Sequence, residues 1–221
     1  MSKKKEIISL IIGIVGAMVG LCGVVAFNQF IMTSLSLGMR MVSTILTYWL
    51  IALIPIVVMI VNKDRLTDYG FSKNKIWMQI VVGILIGVVM SVVLTLIPDI
   101  IGFGEFVDSG ERCKYLWQFA YEFLYYIFSI GLVEEFVFRG FIFEKIRRVC
   151  GKDVIAVIIS SVLFGVFHLF GGNLVQMLMT AFIGAFFCFC RLKIKNCSTL
   201  SLIIGHGVYD ALIIVFASAL L

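Results

Sequence analysis

Long apolar runs, each ended by a short polar connection, cover the chain from one terminus to the other. A helix needs about 20 residues to cross the hydrocarbon core of a bilayer. On that measure the runs predict spans at 7–32, 41–61, 76–97, 118–144, 153–170, 174–190 and 198–220. The connections are too short to hold a soluble domain. The pattern therefore predicts an all-α fold, a polytopic membrane helix bundle of about seven transmembrane helices, forming a single integral membrane domain over residues 1–221. The first run follows Lys3-Lys4-Lys5, as a secretory signal would. It exceeds the roughly 7–15 residues of a signal core and lacks a small-residue cleavage site, so it reads as a retained span.

Within the spans, small residues recur at helical spacing: Gly13, Gly16, Gly20 and Gly23 in the first, Gly83 and Gly87 in the third. Such spacing lets helix backbones approach closely. Pro55 predicts a bend in the second span. The polar, basic loop 62–75 reads as interfacial and carries no recognisable chemistry. Tyr115, Trp117, Tyr121, Tyr125 and Tyr126 open the fourth span as an interfacial aromatic cluster, with Glu122 as a partly wet acid among them.

Composition and charge add orientation to this picture. The chain is 62% hydrophobic and only 14% charged, against about 25% charged for soluble domains. Fourteen of its eighteen basic residues lie before span one (Lys3, Lys4, Lys5) or after spans two (Lys63, Arg65, Lys73, Lys75), four (Lys145, Arg147, Arg148, Lys152) and six (Arg191, Lys193, Lys195). Seven alternating spans put all of these on one side. The positive-inside rule makes that side, with the N-terminus, cytoplasmic, in a multi-pass plasma membrane protein. The net charge of +5 is then a topology signal and implies no nucleic-acid partner. The opposite loop, 98–114, carries Asp99, Glu105, Asp108 and Glu111. Six scattered cysteines form neither a zinc spacing nor a disulfide framework and read as apolar fillers.

The chemistry concentrates in a few ionisable residues at membrane depth, which are costly there and point to function. Glu134 and Glu135 lie side by side in span four, with Arg139 one turn beyond Glu135. The i,i+4 spacing, acid before base, pairs Glu135 with Arg139. Glu134 points about 100° away and needs another partner. The only two histidines both fall inside apolar spans: His168 ends span five, and His206 lies in span seven with Asp210 at i+4. Glu134 is 17 residues before the turn at Gly151 and His168 is 17 residues after it. Antiparallel helices of equal rise place the two at one depth, and His206 is also well inside the bilayer. Glu134, His168, His206 and Asp210 are therefore expected to converge.

A carboxylate and two imidazoles in an apolar pocket suit activation of water, with Glu134 as general base and the histidines positioning the water or stabilising an oxyanion. Alternatively Glu134, His168 and His206 could hold a zinc ion with an open position for water. Both routes lead to hydrolysis. No GxSxG or HExxH motif is present. Gly102-Phe103-Gly104-Glu105 is a poor match to the GxGD partner that Tyr209-Asp210 would need in an aspartyl protease. Two other classes stay open: a non-catalytic membrane protein conferring immunity or binding a partner, and a transporter using Glu134 and His168 as a proton relay.

Glu134-Glu135-x-x-x-Arg139, Phe164-x-x-x-His168 and His206-x-x-x-Asp210, in this order, resemble the three motifs of the CAAX protease and bacteriocin-processing (Abi) family of intramembrane endopeptidases. The resemblance covers residues 118–215. It implies cleavage of a peptide bond in a membrane-associated or lipidated peptide or protein within the lipid bilayer, such as a bacteriocin precursor. It also implies that Glu134 and His168 activate water, that His206 and Asp210 stabilise the oxyanion, and that Arg139 supports Glu135. The family has been described both as metalloproteases and as metal-independent glutamate proteases, so zinc is a possible cofactor. Its eukaryotic prenyl-protein members carry Asn at the position of Asp210. An ionised carboxylate there would repel an oxyanion. Asp210 is accordingly expected to orient His206 from behind.

Overall fold

The computed structural model describes residues 2–104, 110, 112–170 and 172–220. Among these, seven helices and no strands are found: α1 (Lys3–Phe30), α2 (Leu37–Asn62), α3 (Ile76–Phe103), α4 (116–150), α5 (Asp153–His168), α6 (Leu174–Lys193) and α7 (Thr199–Leu220). They follow the seven predicted spans in order. Glu105, Asp108 and Glu111 lie outside the described residues. Five helices, α1, α2, α3, α6 and α7, are long and apolar enough to cross a membrane. The two that fall short are α5, with only 16 residues, and α4, which carries the charged motif.

α4 is the hub, packing against α1, α2, α5 and α7, while α1 pairs with α2, α3 with α7, and α5 with α6. Of the glycines expected to bring backbones together, Gly20, Gly83 and Gly87 do so, whereas Gly13, Gly16 and Gly23 face side chains of the neighbouring helices. A Cβ on Gly87 of α3 would lie 2.6 Å from the carbonyl oxygen of Gly205 on α7, far inside van der Waals contact. α2 is interrupted at Trp49, ahead of Pro55, whose ring has no N–H to continue the ladder. Large apolar side chains such as Ile11, Val15, Val19, Trp77, Val89 and Phe182 are exposed on the outside of the bundle, as lipid contact requires. Free cysteines Cys188 and Cys190 are buried as fillers, whereas Cys22 and Cys150 are exposed.

Candidate active site

α4 is not a uniform α-helix. A short α segment, Leu132–Glu135, sits between two π-helical stretches, Tyr126–Gly131 and Phe136–Ile142. Such turns are rare and recur at functional sites. Gly131 and Gly207 make the contact with α7: a Cβ on Gly131 would lie 2.6 Å from the Ile203 carbonyl oxygen, and one on Gly207 2.6 Å from Cα of Ile127. That closeness delivers His206 to the acidic pair. His206 Nδ1 lies 2.8 Å from Oε1 of Glu135, and the same oxygen accepts from Arg139 Nη1 at 2.8 Å. Glu135 and Arg139 are fully buried. The Arg139 guanidinium also lies 4.0 Å from the Phe164 ring centroid, an arrangement that stabilises a desolvated cation.

Glu134 faces the other way and is 2% exposed. Its Oε1 accepts a hydrogen bond from the Tyr48 hydroxyl on α2. Its Oε2 is buried with no hydrogen-bond partner. Two imidazole nitrogens approach this free oxygen: His206 Nε2 at 3.8 Å and His168 Nε2 at 3.9 Å. The far side of each ring is fixed. His168 Nδ1 lies 2.9 Å from the Phe164 carbonyl, which can only accept, so Nδ1 carries the proton and Nε2 presents its lone pair. Asp210 Oδ2 is 3.4 Å from His206 Nε2. Phe164 and Phe187 wall the site, with Phe187 stacked on the His206 ring at 5.5 Å and Phe164 edge-on to His168 at 4.5 Å.

Glu134, His168, His206 and Asp210 thus meet, and the Glu135–Arg139 pair forms as the spacing predicts. One detail departs from expectation. The carboxylate that holds His206 from behind is Glu135, through Nδ1, whereas Asp210 stands on the Nε2 side that faces Glu134. The reason is the α4–α7 contact at Gly131 and Gly207, which brings Glu135 within hydrogen-bond distance of Nδ1. Tyr48 was not marked by the sequence. Its signal was slight, one of four hydroxyls (with Ser43, Thr44 and Thr47) in an apolar span, 86 residues from its partner.

A second polar layer closes the end of the bundle where the basic connections gather. Loop 62–75, apparently featureless in sequence, folds in here. Tyr69 is fully buried, stacks on Phe141 at 5.7 Å and donates to Asp64 at 2.5 Å. Lys145 is also fully buried and bridges Glu6 of α1 at 2.9 Å and Asp64 at 2.8 Å. Arg191 of α6 reaches Glu144 and the Arg139 carbonyl, and Thr199 donates to the Tyr69 carbonyl at 2.8 Å. Burial alone would raise the Asp64 carboxyl, but hydrogen bonds from Lys145 and Tyr69 and the charges of Lys145 and Arg148 outweigh it and hold it below the usual aspartate range. Burial and the Asp64 charge push the Tyr69 hydroxyl up.

The donors do not fit a zinc ion as they stand. Tetrahedral zinc with bonds of about 2.0–2.1 Å needs its donors about 3.3 Å apart, whereas Glu134 Oε2 is 3.8 and 3.9 Å from the two imidazoles. Among the described residues no group of three or more His, Cys, Asp or Glu side chains is arranged to hold a metal ion.

Residues 116–212, from the start of α4 into α7, match the family model described as type II CAAX prenyl endopeptidase Rce1-like. No curated protein and no solved structure matches the chain. The matched region, 97 of the 221 residues, contains every motif residue placed in the site above, and over it the chain is similar to the Rce1-like CAAX endopeptidases.

Proposed function

We propose that the protein hydrolyses a peptide bond of a membrane-associated peptide or protein by attack of a water held between Glu134 and His168. The observation that carries this reading is the asymmetry of Glu134. One oxygen is occupied by Tyr48, and the other is buried, unpaired and faced by two imidazole nitrogens. A buried acceptor without a partner costs about 1–3 kcal/mol, and a water between Oε2 and His168 Nε2 removes that cost.

In the reaction Glu134 takes a proton from this water while the water oxygen bonds to the scissile carbonyl carbon. The carbonyl π pair moves onto its oxygen. His206, held by Glu135 through Nδ1, donates from a protonated Nε2 to that oxyanion. Collapse breaks the C–N bond, and Glu134 passes its proton to the leaving amine. Between turnovers Asp210 accepts from Nε2–H, and the oxyanion takes over that hydrogen bond as it forms. The ring of Phe164 and Phe187 keeps the charges in a low-dielectric space, where each acts more strongly than in water. The membrane is the plasma membrane, with the basic connections and the N-terminus on the cytoplasmic side.

The test is cleavage in isolated membranes suspended in ¹⁸O-water, with peptides read by mass spectrometry. Wild type is expected to release peptides whose new C-terminal carboxyl carries ¹⁸O. Glu134→Gln, which keeps the volume and removes the base, is expected to lower that release by about 10²–10⁴-fold. Equal labelled release from both would refute the role of Glu134. A metal chelator is expected to leave the wild-type rate unchanged, and loss restored by added zinc would overturn the metal-free reading.

A further inference from the structure

Tyr48 lies outside the matched region and outside every motif, yet its hydroxyl donates a direct hydrogen bond to Glu134. It comes from α2, at the junction where that helix is interrupted between Tyr48 and Leu50. The α2–α4 contact is fixed in the two turns that precede it: Ser129 Oγ of α4 donates to the Ile45 carbonyl at 3.0 Å, and Tyr121 Oη donates to the Met41 carbonyl at 3.1 Å. The tyrosine is thus carried on a stretch of α2 that α4 itself holds in register.

We infer that Tyr48 is a positioning residue for the proposed hydrolysis, locking Oε1 of Glu134 so that Oε2 alone is presented to the water and the two histidines. The inference rests on that reading of the site. A glutamate without this bond swings about its χ angles, and its two oxygens exchange. With the bond, the base has one working oxygen at a fixed distance from His168 and His206. Pre-orientation of this kind contributes to rate without touching substrate.

The experiment uses the full chain in isolated membranes, with the rate of peptide release in ¹⁸O-water as readout. Tyr48→Phe removes only the hydroxyl and is expected to slow release by about 10- to 100-fold, with protein amount and melting temperature in detergent close to wild type. Genetically encoded fluorotyrosines at position 48 then separate positioning from packing. They keep the shape of the ring and make the phenol a stronger donor. Release is expected to change stepwise with added fluorine, as the hydrogen bond that holds Oε1 of Glu134 strengthens. A wild-type rate in Tyr48→Phe, or a flat fluorotyrosine series beside a slow Tyr48→Phe, would overturn the inference, the second outcome assigning Tyr48 to packing. Should wild type and Glu134→Gln release the same labelled peptides, the hydrolytic reading itself fails, and the two failures are thereby told apart.

Discussion

Glu135 accepts from Arg139 and His206 through a single oxygen while wholly buried. Its charge therefore cannot be removed without leaving a guanidinium unpaired in an apolar interior. Glu135→Ala is expected to destabilise the protein by about 3–5 kcal/mol, the usual effect of breaking a buried ion pair, seen as earlier unfolding in detergent. Glu134→Gln removes no such pair and should unfold like wild type. Asp210 is separable in another way. Asp210→Asn keeps an oxygen that can accept from His206 Nε2 and is expected to retain substantial activity, whereas Asp210→Ala loses most of it. Equal loss in both variants would contradict the acceptor role. At this scale the sequence was informative wherever partners lie one turn apart, as Glu135 with Arg139 and His206 with Asp210 do. It was silent on Tyr48 and on the Glu135–His206 bond, because those pairs join different helices and no local spacing encodes them.

α4 and α7 set the distances that matter, and they meet through glycine. Any side chain at Gly131 or Gly207 collides with backbone of the facing helix at 2.6 Å, and backbone cannot turn aside as a side chain can. Gly131→Leu is expected to push the helices apart, separate His206 from Glu135, abolish cleavage and lower the melting temperature. Gly23→Ala is the contrast: its Cβ would meet only the Leu50 side chain at 3.4 Å, an ordinary contact, and activity should stay at the wild-type level. Equal effects would show that helix approach at α4 and α7 does not govern the site. The small-residue spacing in the first and third spans was legible, as was the equal depth of Glu134 and His168 about Gly151. The π-helical stretches around Leu132–Glu135 were not, since no residue type announces them.

The whole molecule stacks two polar layers inside an apolar bundle, one reactive and one ionic. The ionic layer ties α1, α4, α6, α7 and loop 62–75 together through Lys145, Asp64, Glu6, Tyr69, Arg191 and Thr199. Asp64 is held below its ordinary value of 3.8 in the folded state. A group so depressed contributes stability that is fully present above that value and is lost as pH falls through its folded value. Unfolding in detergent should therefore become easier as the pH drops below about 4, and Asp64→Asn should flatten that dependence while lowering stability at neutral pH. An unchanged acid limb in the variant would exclude Asp64 as the group responsible. The seven spans were legible at this scale because bilayer thickness fixes their length. The ionic layer was not, because a loop rich in charge reads as solvated until its partners on distant helices are known.

In the proposed reaction Glu134 is what makes this bundle a peptidase. The most direct test compares the membrane-derived peptides released by cells carrying wild type with those released by cells carrying Glu134→Gln, at matched expression. Peptides present only with wild type are the predicted result, and their termini would identify the substrate. Indistinguishable profiles, with the protein's biological effect intact in the variant, would contradict the account and assign the scaffold to binding or immunity.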